Sequence, residues 1–399
     1  MDSLVTTDNN LLIIPRELLS IITNLMNIGS IFSLGRVCKS FLSLVHKSPP
    51  IIHDIVIDII CNGDDVDMFK WLYADTSLIQ SIDTQELQSQ AIIAGSFEIL
   101  KYLNKNGCWP DKHAYCYAAS NGHLDILKYL RIEFNEKDRL LETNVCSGAA
   151  GNGHLEILKY LHENGCPWNE YACSYAALNG HLEVLKYLHA NGCPWDTRAC
   201  ANAAESGHME VLKYLHENGC PWESNACARA TENGHIEILR YLHANLCPWR
   251  SNACASAAGN GHMEVLKYLH ENGCPWDCVT HYHAAENGHL EILKYLNENE
   301  CPQHGLACSA AISYSHLEIL KYLHETGCYW NNYACEYAAR NGHLEILKYL
   351  HDNGCPWDSD TYYYAAQNNH MEILKYLDEN GCHWSVYGYC KKLIMRLYE

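Results

Sequence analysis

The sequence predicts an all-α protein, a right-handed solenoid of about twelve helix-turn-helix units, because one short segment recurs along most of the chain. Copies follow one another in steps of 27 residues, and each contains two short apolar runs separated by Asn-Gly. Helices of this length are marginal alone, since nucleation is costly below about 12 residues. Neighbouring units must therefore share their apolar faces, as the units of a solenoid do.

The repeated segment reads Asn-Gly-His-Leu-Glu-Ile-Leu-Lys-Tyr-Leu with small changes. Its histidine recurs in steps of 27 after a first step of 31, at His123, His154, His181, His208, His235, His262, His289, His316, His343 and His370. A second string, Gly-Cys-Pro-Trp with variants, places cysteine at Cys166, Cys193, Cys220, Cys247, Cys274, Cys301, Cys328, Cys355 and Cys382. Weaker copies before His123 keep only the apolar spacing.

Each unit is predicted to contain two helices. In the copy at residues 171–191, Leu182, Leu185 and Leu188 lie at helical spacing in the second run. Gly192 then suits the left-handed position that ends a helix. The first run has a core of small residues, Ala-Cys-x-x-Ala-Ala, which lets neighbouring helices approach closely.

The start of the first run carries polar residues that are suited to capping a helix. These are Asp196, Ser224 and Ser251 in three successive copies. Aspartate and serine side chains accept hydrogen bonds from the N–H groups left unpaired at a helix start. We therefore expect all three to be N-caps.

Charge and hydropathy argue against nucleic acid and membrane as partners. The chain has 28 Lys and Arg against 47 Asp and Glu, a net charge of −19 at pH 7, and such a field repels phosphate. Its longest apolar stretches, residues 11–15 and 55–61, are far shorter than the roughly 20 residues of a membrane helix. With no secretory signal pattern, we expect an intracellular, cytoplasmic protein whose 22 cysteines are reduced thiols.

These repeats resemble ankyrin repeats over roughly residues 50–399. The similarity is strongest in the Gly-His-Leu-Glu-Ile-Leu-Lys-Tyr-Leu segments and the Ala-Ala before them. Ankyrin units average 33 residues and open with Thr-Pro-Leu-His, whereas this step is 27 and Ala-Cys occupies that place. We expect short loops instead of the family's projecting hairpin. Short units of this kind also resemble those of ankyrin proteins from large DNA viruses of protists, which would place the protein in a host cell.

Residues 11–48 resemble an F-box, with a Leu-Pro-like start, an amphipathic first helix and a later Val-Cys-Lys-Ser-Phe segment. In that family the segment binds the Skp-type adaptor of cullin-RING ubiquitin ligases, and the attached repeats select the substrate. The resemblance places these residues in or under the adaptor contact: Pro15, Leu18, Leu19, Ile22, Val37, Cys38 and Phe41. The alternative is a hydrophobic cap on the first repeat.

Three functions are compatible with this pattern. We expect a substrate-recruiting subunit of a cullin-RING ligase, and the second reading is a plain ankyrin-type binding or scaffold protein. The third is a metal or redox array, but the Cys-x6-Cys spacing of Cys166 and Cys173 differs from that of zinc sites. No phosphate loop, His-Glu-x-x-His or nucleophile elbow appears, so we expect no enzyme, no metal and no cofactor.

The recurring histidine, as in His181, and the recurring tryptophan are interpreted as structural. We expect the histidine to bond to turn backbone, since one general base repeated ten times has no catalytic logic. The tryptophans are expected to pack between units, at Trp168, Trp195, Trp222, Trp249, Trp276, Trp330, Trp357 and Trp384.

The two middle positions of Ala-Cys-x-x-Ala-Ala vary freely between copies, which marks them as candidate contacts for a protein target. The pairs are 174–175, 201–202, 228–229, 255–256, 282–283, 309–310, 336–337 and 363–364. We expect them on the concave face, where stacked repeats bind partners, and Tyr and Arg are typical interface anchors. The predicted contacts are Tyr175, Asn202, Arg229, Tyr282, His283, Glu336, Tyr337, Tyr363 and Tyr364. The alternative is solvated positions that drift without function.

These features divide the chain into five segments: a flexible tail at 1–10, the F-box-like module at 11–48, irregular repeats at 49–150, regular repeats at 151–384 and a C-terminal capping helix at 385–399. We expect a monomer.

Overall fold

A computed structural model describes residues 56–57, 60–61, 66–74, 83–134, 143–303 and 305–382. Every regular element in these ranges is an α-helix, as the repeat pattern predicts. Contacts divide the chain into two compact lobes, Met1–Ala172 and Cys173–Glu399.

The helices come in pairs. In the first lobe they are α1 (Val66–Ala74), α2 (Thr84–Ala94), α3 (Phe97–Lys105), α4 (Ala114–Ser120), α5 (Leu124–Phe134), α6 (Thr143–Gly151) and α7 (Leu155–Glu163), and α8 (Glu170–Leu178) spans the point of division. In the second lobe they are α9 (Leu182–Ala190), α10 (Thr197–Glu205), α11 (Met209–Glu217), α12 (Ser224–Glu232), α13 (Ile236–Ala244), α14 (Ala253–Gly259), α15 (Met263–Glu271), α16 (Cys278–Glu286), α17 (Leu290–Glu298), α18 (Leu306–Ser313), α19 (Leu317–Glu325), α20 (Ala334–Asn341), α21 (Leu344–Asp352), α22 (Ser359–Gln367) and α23 (Met371–Glu379).

The second helix of each repeat buries one leucine-rich face, as predicted. In α9, Val184, Leu185 and Leu188 are buried, while Lys186 pairs with Glu183 on the outer face at 2.7 Å. The exposed ion pair contributes little, so burial of the apolar stripe is what stabilises the helix.

The end of α9 confirms the predicted glycine stop. Gly192 has φ +78°, and its N–H donates to the carbonyl of His189 at 3.0 Å. The N–H of Cys193 donates to the carbonyl of Leu188 at 3.0 Å. These two bonds form a Schellman motif, which pairs carbonyls that the helix leaves open.

The first helix has an interior of small side chains. In α10, Ala199, Cys200, Ala203 and Ala204 are fully buried, and the helix packs on α11 of its own repeat and on α12 of the next. Because none of these side chains exceeds a thiol in size, the helices of successive repeats lie close together. Successive repeats therefore share a continuous core within the second lobe.

One of the three predicted helix caps is confirmed and two are wrong. Asp196 accepts a hydrogen bond from the backbone N–H two residues later, at 3.0 Å. In the next two repeats the residue before the helix is Glu223 or Asn252, and neither makes a side-chain cap bond. Ser224 is the first residue of α12, and Ser251 lies in the turn before α14, so both lie outside the capping position.

The recurring histidine fastens each repeat to the one before it. His235 Nε2 lies 2.9 Å from the carbonyl oxygen of Glu205, and its ring covers Gly207 of the preceding turn. A carbonyl only accepts, so Nε2 carries the proton. The same bond is made by His123, His154, His262, His289, His316, His343 and His370. The structural interpretation is thus confirmed, and the backbone acceptor belongs to the preceding repeat.

A second contact between repeats involves tryptophan, as predicted, together with a histidine that the pattern analysis missed. His189, at the end of α9, stacks on Trp195 with ring centroids 3.9 Å apart, and its Nδ1 lies 3.1 Å from the hydroxyl of Tyr214 in the next repeat. Edge contacts with the tyrosine of the next repeat confirm packing between repeats for Trp195, Trp222, Trp276, Trp330 and Trp357. Trp384 lies outside the described residues.

Candidate protein-binding surface

All nine predicted contact residues lie on first helices of the second lobe and reach the surface. Four are exposed: Tyr175, Arg229, Tyr337 and Tyr363. Five are half-buried: Asn202, Tyr282, His283, Glu336 and Tyr364. The tyrosines at the surface offer large contact area at low entropic cost.

The broader prediction that both positions of every pair are unconstrained is wrong. Ser174, Ala201, Ala255 and Ala310 are buried. Their side chains are small because they pack inside the array, so these positions belong to the core. The candidate surface is thereby reduced to the nine residues above and their immediate neighbours.

Polar contacts across successive repeats order part of this surface. Arg229 Nη1 lies 3.2 Å from Glu205 Oε1 of the preceding repeat. The side-chain amide of Asn202 donates to the carbonyl of Ser174, again one repeat back, at 3.1 Å. Side chains that are held in one orientation lose less entropy when a partner binds.

Glu286 gathers the polar groups of the middle of the surface. The hydroxyl of Tyr282 donates to Glu286 Oε1 at 3.2 Å, and His283 Nδ1 lies 3.1 Å from Oε2. Burial opposes ionisation of this carboxyl, but hydrogen bonds from His283, Tyr314 and Tyr282 prevail and lower its pKa. This part of the surface therefore presents a carboxylate framed by aromatic rings.

Aromatic side chains dominate the surface near its last repeats. The rings of Tyr363 and Tyr364 meet edge to face with centroids 5.4 Å apart, and the guanidinium of Arg340 lies 5.4 Å from the Tyr364 centroid. Tyr337 and Tyr363 are 37% and 43% exposed, which leaves their rings available to a partner. Exposed aromatic rings of this kind are typical interface anchors.

A group of three carboxylates lies beside these tyrosines: Glu336, Asp358 and Asp360 have oxygens within 4.8 Å of one another. It is the one set of three or more metal-type ligands in the described part of the chain. Burial and the two aspartates raise the pKa of Glu336. Asp358 also caps α22 by accepting the N–H of Asp360, so the cluster has a structural role without an ion.

The predicted adaptor residues, Pro15, Leu18, Leu19, Ile22, Val37, Cys38 and Phe41, lie outside the described residues. The predicted C-terminal capping helix at 385–399 does so as well. None of the described helices is both long and apolar enough to cross a bilayer.

Comparison with known proteins identifies both parts of the chain. The ankyrin-repeat family matches in overlapping groups of three copies, over residues 147–250, 200–278, 226–307, 254–334 and 307–387. The F-box domain matches residues 11–53. The F-box resemblance of the N-terminal segment is thereby confirmed.

Among solved structures, the human ASB11 ankyrin repeat domain is similar, with 23% sequence identity and a TM-score of 0.34. The similarity covers 38% of this chain and 82% of that chain. No curated protein matches this sequence.

The ankyrin matches together cover residues 147–387, which is more than half of the 399 residues. Paired helices at the repeat step agree with them throughout the second lobe. The chain therefore belongs to the ankyrin-repeat family.

Proposed function

We propose that this protein is a substrate receptor of a cullin-RING ubiquitin ligase. Its F-box domain binds a Skp-type adaptor, and its repeats bind the protein that is to be ubiquitinated. One observation carries the proposal: an F-box domain at residues 11–53 is followed in the same chain by ankyrin repeats. Both are protein-interaction modules, and other subunits of the ligase carry out ubiquitin transfer.

We further propose that the nine surface residues hold the target, because they combine exposed tyrosines with polar groups fixed by contacts between repeats. The surface carries Glu286 and Glu336, whereas Arg229 and Arg340 pair with Glu205 and Tyr364. A target segment with basic and aromatic side chains would complement it.

The adaptor contact is tested with purified Skp-type adaptor and the full chain. We expect co-purification, which is lost in a variant with Leu18→Ala and Leu19→Ala and in the 49–399 fragment. Binding of the adaptor to the 49–399 fragment, or to neither protein, would contradict the adaptor role. It would leave the second reading, a binding or scaffold protein without a ligase.

Target capture is tested separately with Tyr337→Ala combined with Tyr363→Ala. Loss of two anchor rings should weaken binding of a captured target by about 3 kcal/mol, or roughly 100-fold. Adaptor binding and the melting curve should not change. Tyr329→Ala is the matched control, since Tyr329 is 81% exposed and lies in a loop away from the surface.

We also propose that the protein acts inside a cell as a monomer. The similarity of its short repeats to those of viral ankyrin proteins supports a host cell as its setting.

A further inference from the structure

Seven repeats bury two cysteines that are 20 residues apart, one on the first helix and one in the loop after the second helix. The pairs are Cys146–Cys166, Cys173–Cys193, Cys200–Cys220, Cys227–Cys247, Cys254–Cys274, Cys308–Cys328 and Cys335–Cys355. In each pair the helix thiol is directed at the loop cysteine. Nothing in ankyrin-type packing requires sulfur at both positions, since a small apolar residue would fill either one.

The sulfur atoms are close enough to form a bond. Sγ of Cys146 lies 3.0 Å from Sγ of Cys166, and Sγ of Cys308 lies 2.8 Å from Sγ of Cys328. A disulfide bond is about 2.05 Å long, so each pair needs to close by about 1 Å. Two thiolates on one tetrahedral zinc ion lie roughly 3.8 Å apart, so the pairs fit a disulfide better than a metal site.

The two thiols of a pair differ in access and acidity. Cys308 is fully buried, whereas Cys328 keeps 4% of its surface exposed. The hydrogen bond that Cys308 donates lowers the pKa of Cys328 in spite of burial, and it raises the pKa of Cys308. The pKa is lowered in the same way at Cys166, Cys247, Cys274 and Cys355. The loop cysteine is thus the more reactive thiol of the pair.

Two repeats provide natural controls because another residue replaces the helix cysteine. His281 stands 20 residues before Cys301, and Tyr362 stands 20 residues before Cys382. Burial, together with the charge of a nearby aspartate, raises the pKa of Cys301 to about 12 and that of Cys382 to about 11. These loop thiols have similar burial but lack a thiol partner on the first helix.

We propose that the seven pairs are a modification site at which peroxide closes one disulfide inside each repeat. The loop thiolate attacks hydrogen peroxide, gives a sulfenic acid and releases water. The sulfur of the helix thiol then attacks this sulfenic sulfur, the S–S bond forms and a second water leaves. Two thiols lose two electrons and two protons, and one peroxide becomes two waters. Each bond ties the loop to the first helix, and a thiol reductant reverses it.

The test uses the full chain, reduced and then treated with hydrogen peroxide. Remaining thiols are alkylated in denaturant at timed intervals, and peptides are mapped by mass spectrometry without reduction. We expect disulfides between partners 20 residues apart, and a loss of thiol at Cys328 about tenfold faster than at Cys301. Cys61 is exposed and reports that the oxidant is active.

Two variants sharpen the test. His281→Cys supplies the missing partner, so Cys301 should join a new disulfide with position 281. Cys308→Ser removes a partner, so Cys328 should form no disulfide, while the other six pairs still close. Circular dichroism confirms that each variant is folded.

Three results would overturn the proposal. Cys61 could be oxidised while the pairs stay reduced, Cys301 and Cys328 could react at equal rates in the unsubstituted chain, or disulfides could form mainly between cysteines of different repeats. A Cys308→Ser chain that does not fold leaves the His281→Cys comparison decisive.

Discussion

Gly207 and Gly219 are left-handed glycines of the same repeat that differ in what lies next to them. Their φ angles are +81° and +79°. A Cβ on Gly207 would sit 2.9 Å from the ring of His235, whereas a Cβ on Gly219 would meet nothing within 4 Å. The two sites therefore separate the cost of backbone strain from the cost of losing the contact between repeats.

We expect Gly219→Ala to lower the free energy of unfolding by about 1 kcal/mol, the cost of a left-handed non-glycine residue. Gly207→Ala should cost about 2–3 kcal/mol, because the ring of His235 must also move away from the Glu205 carbonyl. Urea denaturation measures both. Equal losses at the two sites would show that the histidine contact contributes nothing.

His281 makes stability depend on pH. It is fully buried, and burial lowers its pKa below the ordinary value of 6.5. The unfolded chain thus binds a proton at a higher pH than the folded chain does. Below about pH 6.5 the free energy of unfolding should therefore fall, until the folded His281 also becomes protonated.

The measurement is urea denaturation at several pH values between 7.5 and 5, under reducing conditions. His281→Cys restores the residue that most other repeats have at this position and should flatten the profile over this range. A variant profile as steep as that of the unsubstituted chain would assign the pH dependence to other groups.

The first helices differ in how they begin. Asp358 caps α22 with a side chain that accepts from two backbone N–H groups, and Thr361 completes a capping box. Glu223 holds the equivalent place before α12, five repeats of 27 residues earlier, and makes no cap bond. Asp358→Ala should cost about 1–2 kcal/mol and Glu223→Ala close to none, as measured by thermal and urea unfolding. A loss at position 223 as large as that at 358 would contradict this account.

Helices and their ends show what a repeat pattern can predict. The buried face of α9 and the stop at Gly192 follow from residue types with strong local preferences. The caps were placed wrongly at Ser224 and Ser251 because serine suits a cap wherever it occurs, and only register with Asp196 fixes the position. The role of His189 had a visible signal, since a histidine recurs after Tyr-Leu in most repeats.

The candidate surface could be predicted only in part. Variation between copies identified Tyr337 and Tyr363, which are exposed. The same criterion also selected Ser174 and Ala201, which are buried between first helices. Period alone locates a position on its own helix and does not show how much of it the next repeat covers.

The array as a whole should tolerate the loss of one complete repeat. Each repeat in the second lobe packs on its neighbours in sequence, so stability is approximately a sum of repeat and interface contributions. Deletion of residues 224–250 removes 27 residues and joins Glu223 to Ser251 in register. We expect the shortened chain to fold, with unchanged ellipticity per residue and a smaller urea m-value, because less surface is exposed on unfolding.

Deletion of residues 224–237 is the matched control, because it removes α12 and leaves most of α13 without its partner helix. The leucines of α13 would lose the first helix that covers them, and the next repeat would be out of register. This shorter deletion should therefore abolish cooperative unfolding although it removes about half as many residues. If both deletions unfolded the chain equally, the repeats could not be independent modules that are joined through their faces.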